Sequence, residues 1–248
     1  MRNLKLTIAY RGTAYHGFQV QKNAISVTQV FQDAVEAVFG VRYDIKGCSR
    51  TDAGVHANRF VLSLICNEQI PCENVVRALN VNLPADIAVL SCVEEREDFH
   101  PRYDTTGKRY IYRIWNAPTK NPFEYDTSLH YTRPIDIAAM NAAAVHLLGR
   151  HDFSAFCAAG GKVEDKVRTI TDCTVTRQGN MVTLSITGDG FLYNMVRIIV
   201  GTLLEVSAGK LSPSDVPHIL ASCDRHRAGF TAPPQGLFLD DVFYTHQA

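Results

Sequence analysis

Residues 27–40 read VTQVFQDAVEAVFG, and this stretch sets the fold of the first half of the chain. Its apolar residues recur at helical spacing and Gly40 ends the pattern, so it predicts an amphipathic helix over 27–39. Before it, LKLTIAY (4–10) alternates as a strand does. After it, the patterns predict a short strand at 41–47, a strand at 59–65, a helix at 73–80 and a strand at 87–93. The order strand, helix, strand, strand, helix, strand is that of a ferredoxin-like unit.

The second half of the chain gives a looser copy of this order. Its strands are predicted at 108–115, 171–177, 181–187 and 236–244, and its helices at 136–149, 191–206 and 212–222. Gly179–Asn180 separates two of the strand patterns and predicts a hairpin turn. We therefore predict an α+β fold of two related ferredoxin-like halves, residues 1–105 and 106–248. In this prediction the halves share a mixed, mostly antiparallel sheet, with helices on one face and a cleft between them.

The composition is typical of a globular protein, with 46% apolar and 20% charged residues in a chain of 248. The N-terminus has no signal-peptide pattern, and no stretch approaches the length of a membrane span. Seven cysteines without a CxxC pair predict reduced thiols in a cytoplasmic protein, and no structural zinc site. The formal net charge of zero does not favour a nucleic-acid partner unless the basic residues cluster in space.

One charge interrupts an otherwise apolar helix pattern. In FLYNMVRIIVGTLL (191–204), Arg197 is the only charged residue. A helix that is apolar on nearly every side is buried, and arginine is rarely buried without a partner. Removing one member of a buried ion pair costs about 3–5 kcal/mol, so we expect a carboxylate or a bound anion beside Arg197, with Asp52 as the candidate. A structural ion pair, or a guanidinium that reaches the surface, explains the pattern at least as well.

The segment GCSRTDAGVHA (47–57) combines hydroxyl, basic and acidic side chains next to glycine. In extended backbone, Arg50 and Asp52 point to the same side, and a neighbouring arginine keeps a carboxylate ionised. An ionised carboxylate is a possible nucleophile or general base. The simpler alternative is an Asx turn, in which the Asp52 side chain bonds the backbone two residues on. His56 could act with Asp52 in a hydrolase, or bind a metal with His100, but the spacing matches no metal motif.

Basic and aromatic residues are interleaved in DFHPRYDTTGKRYIYRIW (98–115), and the loop RGTAYHGFQVQ (11–21) has a similar mixture. Aromatic rings stack on unpaired bases, and lysine or arginine contacts phosphates. The alternative is a half-buried amphipathic strand and an ordinary surface loop. The candidate RNA-binding residues are Arg11, His16, Gln19, Arg50, Arg102, Lys108, Arg109 and Tyr110.

Six motifs, in chain order, closely resemble those of the tRNA pseudouridine synthase A family. They are AYRGTAYHGFQVQ (9–21), GCSRTDAGVHA (47–57), FHPRYDTTGKRYIYRI (99–114), GRHDFSAF (149–156), FLYNMVRIIVG (191–201) and TAPPQGLFLDDVFY (231–244). The resemblance covers nearly the whole chain, and RTDAGVHA is its most specific part.

The resemblance implies a homodimer in which the two halves of each chain share one sheet and flank a basic cleft. It implies isomerisation of uridine to pseudouridine in the anticodon stem-loop of tRNA, at tRNA positions 38 to 40, without a cofactor or a required metal. The family's catalytic aspartate corresponds to Asp52, its base-stacking tyrosine to Tyr110 and its aspartate-pairing arginine to Arg197. The arginine that helps to displace the target base corresponds to Arg50. Whether the aspartate attacks the sugar carbon, or accepts a proton while a glycal forms, is open at this point.

Two other functions fit parts of the pattern. A non-catalytic RNA-binding module of the RRM type has the right order of elements, but the chain lacks the RRM aromatic signature. That function also leaves Arg197 and the RTD segment unexplained. A metal-dependent nuclease or hydrolase lacks the ligand spacing. The sequence therefore favours a cofactor-independent RNA isomerase.

Overall fold

The computed structural model describes residues 1–161 and 163–245, which divide into two compact units. Among the described residues, unit 1 contains 1–106 and 238–245, and unit 2 lies within 107–237. Both units combine helices with sheets, so the α+β class predicted from the sequence is confirmed. Within the described residues, no helix is both long enough and apolar enough to cross a membrane.

The secondary structure of the described residues consists of α-helices, strands and short 3-10 turns. The helices are α1 (Val27–Phe39), α2 (Cys72–Asn82), α3 (Ile137–Ala144), α4 (Met195–Ser207) and α5 (Asp215–Ser222). The strands are β1 (Arg2–Tyr10), β2 (Lys46–Gly47), β3 (His56–Cys66), β4 (Ile87–Glu95), β5 (Thr105–Asn116), β6 (Leu129–Tyr131), β7 (Gly149–Asp152), β8 (Val167–Gln178), β9 (Met181–Gly188) and β10 (Leu237–Tyr244).

In unit 1, β1 is the central strand and runs antiparallel to both β3 and β4. β2 pairs with β3, which gives the order β4-β1-β3-β2 of a ferredoxin-like unit. β10 also pairs with β3, in parallel, with Phe238 opposite His56 and Leu239 opposite Ala57. The last strand therefore belongs to unit 1, whereas the sequence assigned it to the second half. A local pattern predicts that a strand forms, but it does not identify a pairing partner so far away in the chain.

The helix α1 has the boundaries that the sequence predicts, because local residues define both of its ends. The hydroxyl oxygen of Ser26 accepts the N–H of Gln29 at 3.2 Å, a cap that contributes about 1 kcal/mol. Gly40 follows the last turn with a φ of 72°, where a residue with a β-carbon is strained. Between these ends, Phe31 and Val35 are fully buried and each contributes roughly 1.5–3 kcal/mol through the hydrophobic effect.

Unit 2 is built on an antiparallel sheet in the order β5-β9-β8-β7, with β6 parallel to β5. The hairpin between β8 and β9 turns at Gly179 and Asn180, as predicted, and Gly179 has a φ of 58°. α3 packs against α4 and against β8. Ile198, Ile199 and Val200 of α4 are fully buried, which confirms the prediction of a buried helix.

Two helices of unit 2 are shorter than predicted. α4 begins at Met195 rather than at 191, because Asn194 has a left-handed backbone conformation with a φ of 59° that a helix cannot include. α3 ends at Ala144, and a 3-10 turn continues the chain to Leu147. Gly149, with a φ of 95°, then begins β7 instead of ending a longer helix.

Candidate active site

The segment GCSRTDAGVHA contains a tight turn between β2 and β3. The N–H of Val55 donates to the carbonyl oxygen of Asp52 at 3.2 Å, and Gly54 has a φ of 75° within the turn. The N–H of Gly54, which an Asx turn would use, donates to the carbonyl oxygen of Tyr15 at 3.2 Å. Backbone bonds therefore close this turn, and they do not support the Asx-turn alternative. The Asp52 side chain is half-buried.

The loop that follows β1 packs directly against this turn. The N–H of Phe18 donates to the carbonyl oxygen of Thr51 at 3.2 Å. A β-carbon at Gly17 would lie 2.4 Å from that same oxygen, and one at Gly12 would lie 1.9 Å from the carbonyl oxygen of Val55. Only glycine lets the two backbones approach this closely, so these two positions hold the turn that carries the aspartate.

The contacts of His56 give it a structural role. Its ring is fully buried and stacks on the ring of Phe238, with 4.6 Å between centroids. Its Nδ1 accepts the N–H of Gly12 at 3.0 Å, so the imidazole connects β3 to the loop after β1. These contacts account for His56 without the hydrolase chemistry considered above. Among the described residues, no group of three or more His, Cys, Asp or Glu side chains is arranged to hold a metal ion.

A groove of about 290 Å³ in unit 1 brings together three of the predicted substrate-binding residues. Its lining includes Gln19, Asp44, Ser49, Arg50 and Arg102. Arg50 and Arg102 are exposed. Their two positive charges outnumber the single negative charge of Asp44, so the groove is suited to an anion such as a phosphate. Arg11 and His16 are exposed residues of the neighbouring loop, but they are not part of the groove lining.

Tyr110 lies on β5, where the alternation of buried residues matches the sequence pattern. Tyr110 and Tyr112 share one face and are 7% and 0% exposed. Lys108, on the same face, and Arg109, on the other, are half-buried. The ring of Tyr110 meets that of Phe191 edge to face, with 5.0 Å between centroids, and this contact supports one side of the phenol ring.

Arg197 lies in the first turn of α4 and is anchored on both sides. Its Nε donates to the carbonyl oxygen of Ala232 at 2.6 Å, and its Nη1 donates to Oδ1 of Asn194 at 2.8 Å. The hydroxyl of Tyr112 donates to the next carbonyl along, that of Pro233, at 2.8 Å. Burial raises the pKa of Tyr112, and the nearby charge of Arg197 acts in the opposite direction. The carboxylate partner that the sequence predicts for Arg197 stays a prediction.

Comparison with known proteins decides the family. A family model described as tRNA pseudouridine synthase matches residues 6–104 and 143–245. The chain belongs to this family. The predicted family and the predicted enzyme class, a tRNA pseudouridine synthase, are confirmed.

The similar proteins extend over nearly the whole chain. A tRNA pseudouridine synthase A from Acetivibrio thermocellus is 46% identical over 244 residues, 98% of this chain and 100% of that protein. A tRNA pseudouridine synthase A 2 from Clostridium perfringens is 45% identical over 244 residues, also 98% of this chain and 100% of that protein. One from Myxococcus xanthus is 45% identical over 98% of this chain and 92% of its own length. A chain of the crystal structure of a Cbf5–Nop10–Gar1 complex has a TM-score of 0.37 and 9% identity, covering 97% of this chain and 59% of that one.

The candidate residues of this pseudouridine synthase are distributed over both units. Unit 1 carries Arg11, His16, Gln19, Arg50, Asp52 and Arg102, and unit 2 carries Lys108, Arg109, Tyr110 and Arg197. Sequence patterns do not reveal the residues that hold these side chains. The apolar pattern predicts a helix that includes Asn194, whereas its left-handed backbone lets its amide meet the guanidinium of Arg197. The sequence signal that indicates Gly12 and Gly17 is that two glycines occur in one short polar loop.

Proposed function

We propose that this chain converts uridine to pseudouridine in the anticodon stem-loop of tRNA, at tRNA positions 38 to 40, with Asp52 as the catalytic carboxylate. Membership of the synthase family supports tRNA as the substrate. The observation that carries the proposal is the turn at residues 51–55, whose backbone is held by the loop after β1. This turn carries the half-buried Asp52, two residues from Arg50 in the chain. Arg50 lines a groove suited to phosphate.

The reaction rearranges atoms that the nucleotide already contains. The bond between uracil N1 and C1′ of the ribose breaks, the ring turns, and a bond forms between C5 and C1′. C5 loses its proton and N1 gains one, so atoms balance without any external group and the chemistry calls for no cofactor. Asp52 serves either of two routes: attack on C1′, or removal of a ribose proton while a glycal forms. Both routes need an ionised carboxylate at a fixed position.

Tyr110 and Arg197 complete the proposed catalytic residues. The target base must leave its stack before its ring can turn, and an aromatic ring provides a surface for the displaced base. We assign this surface to Tyr110, whose ring is supported by Phe191. We assign to Arg197 the positive charge that keeps the catalytic carboxylate ionised. Its bonds to Asn194 and Ala232 orient the guanidinium before substrate binds, so little reorganisation is needed during the reaction.

The remaining assignments concern RNA binding. We propose that phosphates and bases of the stem-loop contact Arg11, His16, Gln19, Arg50, Arg102, Lys108 and Arg109. In support, the side chains of Gln19, Arg50 and Arg102 line one groove. Contacts of this kind make binding depend on salt, so the affinity for tRNA should fall steeply as ionic strength rises.

We further propose that the enzyme is a homodimer that works in the cytoplasm. The family resemblance implies the dimer, in which basic groups concentrate along clefts although the net charge of the chain is zero. The seven cysteines are free thiols, which suits a reducing compartment. Light scattering in solution tests the dimer: the mass of two chains supports it and the mass of one contradicts it.

The proposed function is tested with tRNA tritiated at C5 of uridine. Because C5 loses its hydrogen when the new bond forms, turnover releases tritium to water. We expect release by the wild-type enzyme and none by Asp52→Ala. Binding of tRNA without release by the wild-type enzyme would support a non-catalytic RNA-binding module instead. Substrates with uridine replaced by cytidine at tRNA positions 38, 39 or 40 identify which nucleotides react.

A further inference from the structure

An exposed phenylalanine lies on a rigidly held segment of unit 2. Phe230 is 44% exposed, although its backbone closely approaches Gly201 of α4. A β-carbon at Gly201 would lie 1.8 Å from the Phe230 carbonyl oxygen, so only glycine on the helix permits the approach. Two residues after Phe230, the N–H of Ala232 donates to the carbonyl oxygen of Arg197 at 3.0 Å. The ring is therefore presented from backbone that cannot shift without disturbing α4.

The residues before Phe230 reinforce this segment. The N–H of Gly229 donates to the hydroxyl of Thr202 at 2.9 Å. The guanidinium of Arg225 donates to the carbonyl oxygens of Ala228 and Gly229, at 3.2 and 2.9 Å, and to the hydroxyl of Thr231 at 3.1 Å. These bonds stiffen the loop and hold the positively charged guanidinium of Arg225 against its backbone.

The surroundings of Phe230 distinguish it from an ordinary exposed apolar residue. Phe230, Arg225 and His226 line an open groove of about 410 Å³. His226 and Arg227 are exposed on the 3-10 turn Arg225–Arg227. A fixed aromatic ring beside basic side chains is the arrangement that binds an unpaired nucleotide, since the ring stacks on the base and the cations meet the phosphate.

The groove lies close to a residue of the proposed catalytic set. Gly201, which the Phe230 backbone contacts, is one helical turn beyond Arg197 on the same helix. One turn of α-helix advances about 5.4 Å. A nucleotide on Phe230 would therefore be a near neighbour of the nucleotide that Arg197 serves.

We propose that Phe230 is a stacking surface for an unpaired base of the anticodon loop next to the target uridine, with His226 and Arg227 against its phosphates. This inference rests on the proposed function, because it takes the substrate to be a tRNA stem-loop. It adds a binding residue that fixes the position of the loop and leaves the bond-making steps to the catalytic residues.

The first experiment compares Phe230→Ala with Phe123→Ala. Phe123 is 88% exposed in the same unit and serves as a matched loss of an exposed ring. With a stem-loop RNA that contains the target uridine, we expect Phe230→Ala to raise Kd and KM about tenfold and to leave kcat little changed. This is the change expected when one base–aromatic stack is lost. Phe230→Trp should restore wild-type binding, and Phe123→Ala should match wild type. Equal Kd values for Phe230→Ala and wild type would overturn the proposal, as would equal losses in Phe230→Ala and Phe123→Ala.

The second experiment identifies the stacked base. Each unpaired position of the loop is replaced in turn by an abasic nucleotide, and Kd is measured with wild type and Phe230→Ala. At one position the abasic substitution should remove the difference between the two proteins. If the tenfold difference persists at every position, Phe230 acts through the protein or a phosphate and the stacking proposal is wrong. Wild-type tritium release is measured in parallel: its absence contradicts the proposed function, whereas its presence with no Phe230 effect contradicts this inference alone.

Discussion

The turn that carries Asp52 and the helix that carries Arg197 are held in place by different means. The turn is held by backbone contacts with another loop, and these require glycine at positions 12 and 17. The guanidinium of Arg197 projects from a regular helix and is fixed by side-chain bonds, to Asn194 and to the carbonyl of Ala232. The turn is positioned by backbone contacts, and the guanidinium of Arg197 is oriented by side-chain bonds.

This difference predicts which substitutions each region tolerates. A turn held by backbone contact should fail when a neighbouring glycine gains one carbon, even though that glycine carries no functional group. A side chain on a stable helix should keep its place when one of its bonds is removed, because the remaining bonds and the helix still direct it. The four predictions below test this contrast.

Of these four predictions, the replacement of Arg197 should have the largest effect. Arg197→Met keeps the volume of the side chain and removes the charge, so the fold should survive while kcat falls by about 10²–10³. Activity is measured by tritium release and folding by thermal melting. Arg197→Lys keeps the charge without the planar guanidinium, so its kcat should lie between those of the wild type and Arg197→Met. Near-normal turnover by Arg197→Met would show that this charge has no part in catalysis.

Gly17→Ala should reduce activity about 100-fold, because a displacement of the turn by about 1 Å misplaces the carboxylate. Gly40→Ala is the matched control. Both glycines have positive φ values, 89° and 72°, but a β-carbon at Gly40 meets nothing within 4 Å. Both variants should lose roughly 1 kcal/mol of stability from backbone strain, and Gly17→Ala should lose more because its β-carbon meets the Thr51 carbonyl oxygen. Only Gly17→Ala should lose turnover below its melting temperature. Equal activities in the two variants would remove the case for backbone positioning.

Tyr110→Phe should lower kcat about tenfold, since it removes one hydrogen-bonding hydroxyl and keeps the ring. Tyr112→Phe provides the contrast on the same face of β5. It loses the bond to the Pro233 carbonyl, so its effect should appear as about 1 kcal/mol in the free energy of unfolding. If Tyr110→Phe instead lowers the melting temperature and leaves kcat unchanged, its hydroxyl is structural.

Asn194→Gly should have the smallest effect, a decrease in kcat of about threefold. Glycine accepts the left-handed backbone, so the substitution removes only the side-chain bond to Arg197. Cys223→Gly is the control, since Cys223 is the other described non-glycine residue with positive φ, at 51°. It should leave turnover unchanged. A loss as large as that of Arg197→Met would mean that side-chain bonds position this region as strictly as backbone contacts position the turn.

The sequence predicts the features that depend on neighbouring residues. The ends of α1 depend on Ser26 and Gly40, and the β8–β9 hairpin depends on Gly179, so local patterns suffice for both. The buried character of α4 is likewise visible in its composition, because apolar residues surround Arg197 along the chain.

The features that depend on distant residues could not be predicted in this way. The parallel pairing of β10 with β3 joins the end of the chain to an early strand, and no local pattern encodes it. The start of α4 depends on the left-handed conformation of Asn194, which the apolar pattern of the segment conceals. The roles of Gly12 and Gly17 appear only when the two loops are seen in contact. Family resemblance supplies the candidate side chains, and the structure adds the residues that hold them.

The most direct test of the central claim, that Asp52 acts as a carboxylate in the chemical step, is a comparison of Asp52→Asn with Asp44→Asn. Asp44 is an exposed carboxylate that lines the groove beside Arg50, so its variant controls for a change of charge near the RNA. With excess enzyme and tritiated tRNA, Asp52→Asn should bind tRNA within about twofold of wild type and release no tritium, because an amide keeps the shape of the side chain and removes the charge. Asp44→Asn should release tritium at the wild-type rate. Tritium release by Asp52→Asn at a rate close to wild type would contradict the catalytic assignment.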